Sequence, residues 1–286
     1  MAATDSNCSY VLDPTDPETW GGEPGNNCHV SPDVLDDGVW SCPHESGDNG
    51  YCLFHRPVDE KDDHAVVETF IDAVNSARDS HSESAAKKTQ FLGARFGEFD
   101  LGAQTDSLSL PAGGIDLSYA RVDGRFDWSG VTLDMERVYF IGTTFADLTA
   151  FESTTFADYV AFLAANFEGP VSFENARVGG EGDFRAATVR DEATFTGALF
   201  EEGLDVSNAT FFAVANFDGV HISGDAQFKS SEFKTELRMV EAKIDGDADF
   251  MNVNVYGSAD FESIDIAGER TLQFAEFGDV GQTGLR

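Results

Sequence analysis

Large apolar residues recur every eleven positions along the second half of the chain. One series begins at Phe140, and a second begins five residues later at Phe145, so that spacings of five and six alternate as far as Phe277. Together they occupy 26 positions, all of them apolar, and these positions hold 17 of the 25 phenylalanines. A period this strict predicts a repeat architecture, in which successive units bury their apolar faces against one another.

Two backbone conformations are compatible with an eleven-residue period. A helical supercoil is one of them, but positions five apart point about 140° from each other around a helix, so the two series would face opposite sides. In an extended chain, the residue two positions earlier points to the same side as the large apolar residue. That residue is alanine in 12 of the 26 cases, as at Ala193 and Ala248. The pattern therefore predicts short strands.

Turn-forming residues stand two positions after many of these apolar residues, and each unit is thus expected to be one strand and one corner. They are Gly142, Gly169, Asn175, Gly180, Gly197, Asn208, Gly219, Gly224, Gly246, Gly257 and Gly268. A single unit of this kind cannot bury its own apolar side chains, so the coils must stack to form a core.

These units, such as Ala-Asp-Phe-Met-Asn-Val-Asn-Val at 248–255, resemble the pentapeptide repeat family. The family repeat is Ala, then Asp or Asn, then Leu or Phe, then two variable residues. The resemblance implies an all-β fold, a right-handed quadrilateral parallel β-helix with one unit on each face. Every second unit here has six residues, so a coil is expected to need about 22 residues and to stack at roughly 4.8 Å. Phe140, Phe162 and Phe184 would then form one column.

We expect the β-helix to occupy residues 89–280, with 281–286 as a tail. Upstream of Phe140 the pattern is broken: Leu117, Val122, Trp128 and Leu133 keep the spacing one step out of phase. The stretch 104–114, which ends in Pro-Ala-Gly-Gly, is predicted to be a loop that leaves the coil.

A helix and linker are predicted over residues 58–88. Six side chains at spacings of three and four form one apolar stripe: Val66, Val67, Phe70, Ile71, Val74 and Ala77. Residues 80–84 are expected to be the linker. The helix would cover the open end of the β-helix, and a partner-binding helix is the alternative.

Residues 1–57 contain all four cysteines and three of the six histidines. So short a segment buries little apolar surface and needs an additional constraint. In a cytoplasmic protein, clustered cysteines favour a metal over disulfides, and a structural zinc ion takes four Cys or His ligands. Our predicted zinc ligands are Cys8, Cys28, Cys42 and Cys52, with His44 and His55 as alternates. Free thiols, disulfides or a catalytic metal are the other interpretations.

The net charge of −34 is extreme, with 52 carboxylates against 18 lysines and arginines. A protein from an extreme halophile carries such charge everywhere, because salt screens the repulsion. A mimic of DNA would concentrate it on one face. The excess runs through all segments, which favours the halophilic interpretation. The sequence shows no apolar stretch long enough to span a membrane and no leader, so we expect a cytoplasmic protein.

Catalytic motifs are lacking: we find neither a phosphate-binding Gly loop nor a nucleophile motif. We therefore predict a non-enzymatic scaffold that binds an unknown protein partner and does not bind nucleic acid directly. The alternative, which the resemblance suggests, is a DNA-mimic inhibitor of a DNA-binding enzyme such as a topoisomerase. The resemblance also implies end-to-end dimers, so a homodimer is expected through the C-terminal coil near Phe261, Leu272 and Phe277.

Overall fold

Short strands alternate with corners from Arg95 onward, and they wind the chain into a four-sided parallel β-solenoid, whose described residues form nine strands on one face and eight on each of the other three. The computed structural model describes residues 7–23, 26–80, 82–110 and 112–280. The predicted all-β solenoid is thereby confirmed. Each coil visits the four faces in the same order, and the faces are numbered here in that order.

The strands of each face pair only with the strands directly above and below them. The first face is formed by Arg95–Phe96, Arg121–Val122, Thr144–Phe145, Asn166–Phe167, Thr188–Val189, Thr210–Phe211, Glu232–Phe233, the start of Asn254–Asp260, and Glu276–Val280. The second face is formed by Phe99–Asp100, Phe126–Asp127, Thr149–Ala150, Val171–Ser172, Ala193–Thr194, Ala215–Asn216, Leu237–Arg238 and the end of Asn254–Asp260. The third face is formed by Ser107–Ser109, Thr132–Asp134, Thr155–Phe156, Arg177–Val178, Leu199–Phe200, His221–Ile222, Lys243–Ile244 and Asp265–Ile266. The fourth face is formed by Gly114–Asp116, Arg137–Tyr139, Tyr159–Ala161, Glu181–Asp183, Gly203–Asp205, Asp225–Gln227, Ala248–Asp249 and Arg270–Thr271.

The register follows the predicted repeat of 22 residues. Val138 pairs with Val160, and Phe145 pairs with Phe167. The inward phenylalanines consequently stack in columns: the rings of Phe140 and Phe162 lie 4.9 Å apart and within 5° of parallel. The apolar side chains thus form one continuous core along the solenoid axis.

The expected loop at 104–114 is wrong. Ser107–Ser109 is a strand of the third face and pairs with Thr132–Asp134. Leu108 and Leu110 are buried, because apolar side chains at alternating positions gain more inside the first coil than in solvent. Pro111 lies outside the described residues.

Two kinds of corner alternate around each coil. After the first series the chain adopts the left-handed conformation, as at Asn175 (φ 55°) and Gly197 (φ 67°), which Gly and Asn tolerate best. After the second series, some corners need glycine for space: a Cβ on Gly224 would lie 1.7 Å from the carbonyl oxygen of Glu202 in the coil below. Other corners of this series carry a side chain, such as Asp147 or Thr235. The alternation of five- and six-residue units corresponds to these two corners.

Two helices precede the solenoid, α1 (Asp63–Ser80) and the short α2 (Glu83–Lys87). Helix α1 begins later than expected, after a 3₁₀ turn at Val58–Glu60. The ring of Phe70 packs on Phe91 at 4.7 Å and on Phe99 at 5.2 Å. Helix α1 therefore covers the open end of the first coil, as predicted, and α2 occupies part of the expected linker.

The N-terminal module, residues 1–57, has little regular structure in its described part. Its two strands, Val11–Leu12 and Trp40–Ser41, pair antiparallel, and 3₁₀ turns occur at Pro17–Thr19 and Pro32–Val34. The module packs against the first coil: the Trp40 indole donates a hydrogen bond to Gln90 Oε1 at 2.8 Å, and Phe54 contacts the Phe91 ring at 4.8 Å.

Candidate metal centre

Four side chains from distant parts of the N-terminal module meet at one point. Cys8, Cys42, Cys52 and His55 are all buried, and their ligand atoms lie within 4.8 Å of one another. Backbone hydrogen bonds bring them together: the amide of Cys8 donates to the carbonyl of His44 at 2.9 Å, and the amide of Cys42 donates to Tyr10 at 3.1 Å. A single turn after Cys52 then places His55 beside it.

The separations between these atoms fit a tetrahedral ion. The Sγ atoms of Cys42 and Cys52 are 3.7 Å apart. His55 Nδ1 lies 3.2 Å from Cys52 Sγ and 3.6 Å from Cys8 Sγ. Tetrahedral zinc with Zn–S of about 2.3 Å and Zn–N of about 2.0 Å separates its ligand atoms by about 3.5–3.8 Å. The four side chains are therefore close to the geometry that a zinc ion would require.

The orientation of the His55 ring is set by two further contacts. Its Nε2 donates a hydrogen bond to the carbonyl oxygen of Leu92 at 2.9 Å. Its face stacks on the Tyr10 ring, with the centroids 4.1 Å apart. A carbonyl partner on the far nitrogen is the usual support of a metal-binding histidine, and here it leaves Nδ1 directed at the cysteines.

The electrostatics of the cluster favour a bound cation. Hydrogen bonds from Cys42 and Cys52 hold the pKa of Cys8 well below its usual value, whereas Cys52 and Cys8 raise that of Cys42. Burial alone would lower the pKa of His55, but hydrogen bonds to Cys52 and Cys8 raise it to about 9. The group thus already stabilises thiolate charge, and a divalent ion would take over that role by displacing protons.

The remaining predicted ligands lie elsewhere. Cys28 is half-buried and sits beside the Tyr119 hydroxyl on the solenoid, outside the group of four. His44 stacks on Phe91 at 5.1 Å, and its Nε2 lies 3.3 Å from the carbonyl of Gln90. Burial lowers the pKa of His44 to about 4, so it is a neutral core residue. Among the described cysteines there is no disulfide.

Two contributors to the centre were missed by sequence reasoning. The Leu92 carbonyl orients His55, and Lys61 donates to the carbonyls of Leu53, Phe54 and Arg95. Burial lowers the pKa of Lys61 to about 8. The position of a backbone carbonyl cannot be read from a sequence. The only sequence signal for Lys61 is the scarcity of lysine, of which the chain has six.

The fold and the site together define a parallel β-solenoid protein with a buried Cys₃His cluster at its N-terminal end. Residues 162–210 and 217–265 match the model of the pentapeptide repeats family (9 copies), so the resemblance inferred from the repeat is confirmed for this part of the chain. Comparisons with curated proteins and with solved structures found no match. Within the described residues, no helix is long and apolar enough to cross a membrane.

Proposed function

We propose that this protein is a non-enzymatic interaction scaffold: a rigid acidic solenoid that presents a protein-binding surface, with a structural zinc ion holding its N-terminal module. The observation that carries the proposal is the filled interior. Stacked rings such as Phe173, Phe195 and Phe217 occupy the axis, so the outward side chains of four flat faces are what the solenoid offers to a partner.

Arginines pair with carboxylates of their own or neighbouring coils on the outside of the solenoid. Arg185 lies 2.7 Å from Asp183 and 3.8 Å from Asp205 of the next coil. Arg238 lies 2.7 Å from Asp218 of the coil below. Such pairs reduce the repulsion between stacked carboxylates. These side chains therefore stabilise the solenoid, which supports the non-enzymatic proposal.

The distribution of carboxylates supports a high-salt cytoplasm as the setting of this protein. Each face carries them, for example Glu168 on the first, Asp218 on the second, Asp245 on the third and Asp183 on the fourth. A surface acidic on all sides stays hydrated and soluble when salt screens its repulsion. A DNA mimic would instead need one face much more acidic than the others.

We further propose a homodimer through the last coil. Leu272 is 36% exposed and Phe274 is 72% exposed, and Phe277 is only partly covered where its ring meets Phe261 at 5.5 Å. A second copy placed end to end would cover these side chains and pair the open strand edges.

Affinity capture tests the scaffold proposal. The full chain, immobilised in about 3 M KCl, is exposed to extract of the organism that encodes it. We expect one defined protein at fixed stoichiometry, retained after nuclease treatment. Capture of a DNA-binding enzyme that duplex DNA displaces would replace the scaffold by the mimic. Recovery of no partner would overturn the proposal.

A further inference from the structure

We infer that four outward residues of the first face, Arg190, Phe212, Lys234 and Tyr256, form a binding column for a short acidic segment of a partner protein. The inference rests on the proposed scaffold function, and it specifies where the partner binds and what chemistry it presents. Its members are 22 residues apart and differ in type, so no repeated residue marks them as a unit in the sequence.

The strand register places the four side chains on successive coils. Each stands directly after a first-face strand: Thr188–Val189, Thr210–Phe211, Glu232–Phe233 and the start of Asn254–Asp260, which pair in register. At about 4.8 Å per coil, the column is roughly 14 Å long. It is therefore long enough to contact several residues of an extended segment.

Its aromatic members are unusually exposed. Phe212 is 43% exposed and Tyr256 is 61% exposed. A cation accompanies each ring, since the Arg190 guanidinium lies 5.6 Å from the centroid of Phe212 and Lys234 Nζ lies 4.4 Å from that of Tyr256. In the described part of the solenoid, the other large apolar side chains exposed to this degree, Leu272 and Phe274, belong to the last coil. Aromatic residues and arginine together are typical of the energetic centre of a protein interface.

The acidic coat of the molecule is interrupted around this column. The two longest runs of the chain without any Asp, Glu, Lys or Arg are 206–217 and 250–259, and both cross the first face. Phe212 lies in the first run and Tyr256 in the second. Screening lengths are about 8 Å at 0.15 M salt and about 3 Å at 1 M. Lys234 Nζ pairs with the Glu232 carboxylate of the strand directly before it at 2.5 Å, so Arg190 is the cation of the column that a bound segment meets without a paired carboxylate among the described residues. At these screening lengths, Arg190 acts on the segment more than the net charge of −34 does.

Charge complementarity selects an anionic partner. Arg177, Arg185 and Arg238 each contact a nearby carboxylate. Within the column, Lys234 contacts the carboxylate of Glu232. Arg190, in contrast, makes no ion pair with any residue that the structure describes, although carboxylates outnumber cations 52 to 18. Its guanidinium is available to a partner carboxylate, while the two rings can contact apolar side chains beside it. An acidic segment with interspersed apolar residues meets both requirements.

Fluorescence anisotropy with labelled peptides tests the column. The probe is a seven-residue peptide that alternates Glu and Leu, and its controls replace every Glu by Gln or by Lys. The full chain is used in the lowest salt that preserves its β-sheet circular dichroism. We expect the Glu peptide to bind about tenfold more tightly than the Lys peptide, and Phe212→Ala with Tyr256→Ala to weaken it about tenfold.

Two further variants separate charge from surface position. Arg190→Gln should remove the preference for the Glu peptide over the Gln peptide. The matched control is Arg177→Gln with Leu199→Ala, a cation and an apolar residue stacked on the third face, and it should leave binding unchanged. Equal binding of the Lys peptide, or no effect of the Phe212 and Tyr256 variants, would overturn the inference.

Repeating the partner capture with the Phe212→Ala, Tyr256→Ala chain distinguishes the two proposals. If the variant still captures the partner protein, the scaffold proposal is retained and the proposed binding column is contradicted. If the variant loses peptide binding but the native chain captures no partner protein, the column is supported as a peptide-binding site and the scaffold proposal is contradicted.

Discussion

Phe195 and Phe217 lie on successive coils with their ring centroids 4.5 Å apart and their planes within 2° of parallel. Phe173 stacks on the other side of Phe195 at 5.1 Å. Each ring of the column is thus enclosed by two neighbours from other coils, and the strands that carry them are paired in register. A change in one ring therefore affects the packing of three coils.

Removal of a stacked ring should be far more costly than removal of an outward one. Phe195→Ala leaves a cavity between two rings and should lower the free energy of unfolding by about 3–5 kcal/mol. Phe212→Ala removes a side chain that is 43% exposed and should cost much less. Urea unfolding of both variants in the same salt measures the difference, and equal losses would contradict the assigned columns.

The purified native chain should contain about one zinc ion per molecule. Cys8→Ser and His55→Gln each remove one member of the group of four and should lower the metal content, measured by elemental analysis of untagged protein. Cys28→Ser is the control and should retain the metal, because Cys28 lies beside Tyr119. Less than about 0.2 equivalents in the native chain, with its thiols reactive, would contradict a structural zinc site.

Chelation should loosen the first coil selectively. His55 donates to the Leu92 carbonyl, and the Arg95 amide donates to Phe54, so the centre is tied to this coil by hydrogen bonds. Hydrogen exchange with a strong chelator should speed the Arg95 amide, while the Phe217 amide, bonded to the Arg238 carbonyl, stays protected. Uniform acceleration along the solenoid would show that the centre has no local role.

Lowering the salt concentration should unfold the solenoid. Carboxylates of adjacent coils stack at about 4.8 Å. Without screening by salt, the repulsion within a net charge of −34 destabilises the folded state. Circular dichroism during dialysis from about 3 M to 0.1 M KCl should record a loss of β signal. A spectrum that does not change would count against the halophilic interpretation.

The last coil should mediate dimerisation. Light scattering in high salt should give about twice the chain mass of 30.9 kDa. Leu272→Asp with Phe274→Asp should give the monomer, because both side chains are exposed on the open coil. Phe212→Ser, an exposed ring on a side face, is the matched control and should leave the dimer intact. A native monomer at high micromolar concentration would remove this proposal.

The repeat could be read from the sequence because its determinants are local. The five- and six-residue spacing defines which side chains point inward, and residues such as Ala193 and Phe195 are buried as that spacing requires. Once the family resemblance assigns four units to a coil, the partners of every strand follow, and Val171 pairs with the residue 22 positions later, Ala193. The outward position of Phe212 follows from the spacing alone, whereas the four faces and the stacked rings were implied by the family resemblance.

Outside the regular repeat, only the tertiary structure determined which side chains come into contact. In the N-terminal module, His55 is the fourth member of the group that contains Cys8, whereas Cys28 lies outside the group, beside Tyr119 of the solenoid. No spacing rule predicts this, because the positions depend on contacts with the first coil, such as His44 on the Phe91 ring and His55 on the Leu92 carbonyl. The strand Ser107–Ser109 was hidden for the same reason: burial of Leu108 in the first coil outweighs the turn-forming residues that follow it.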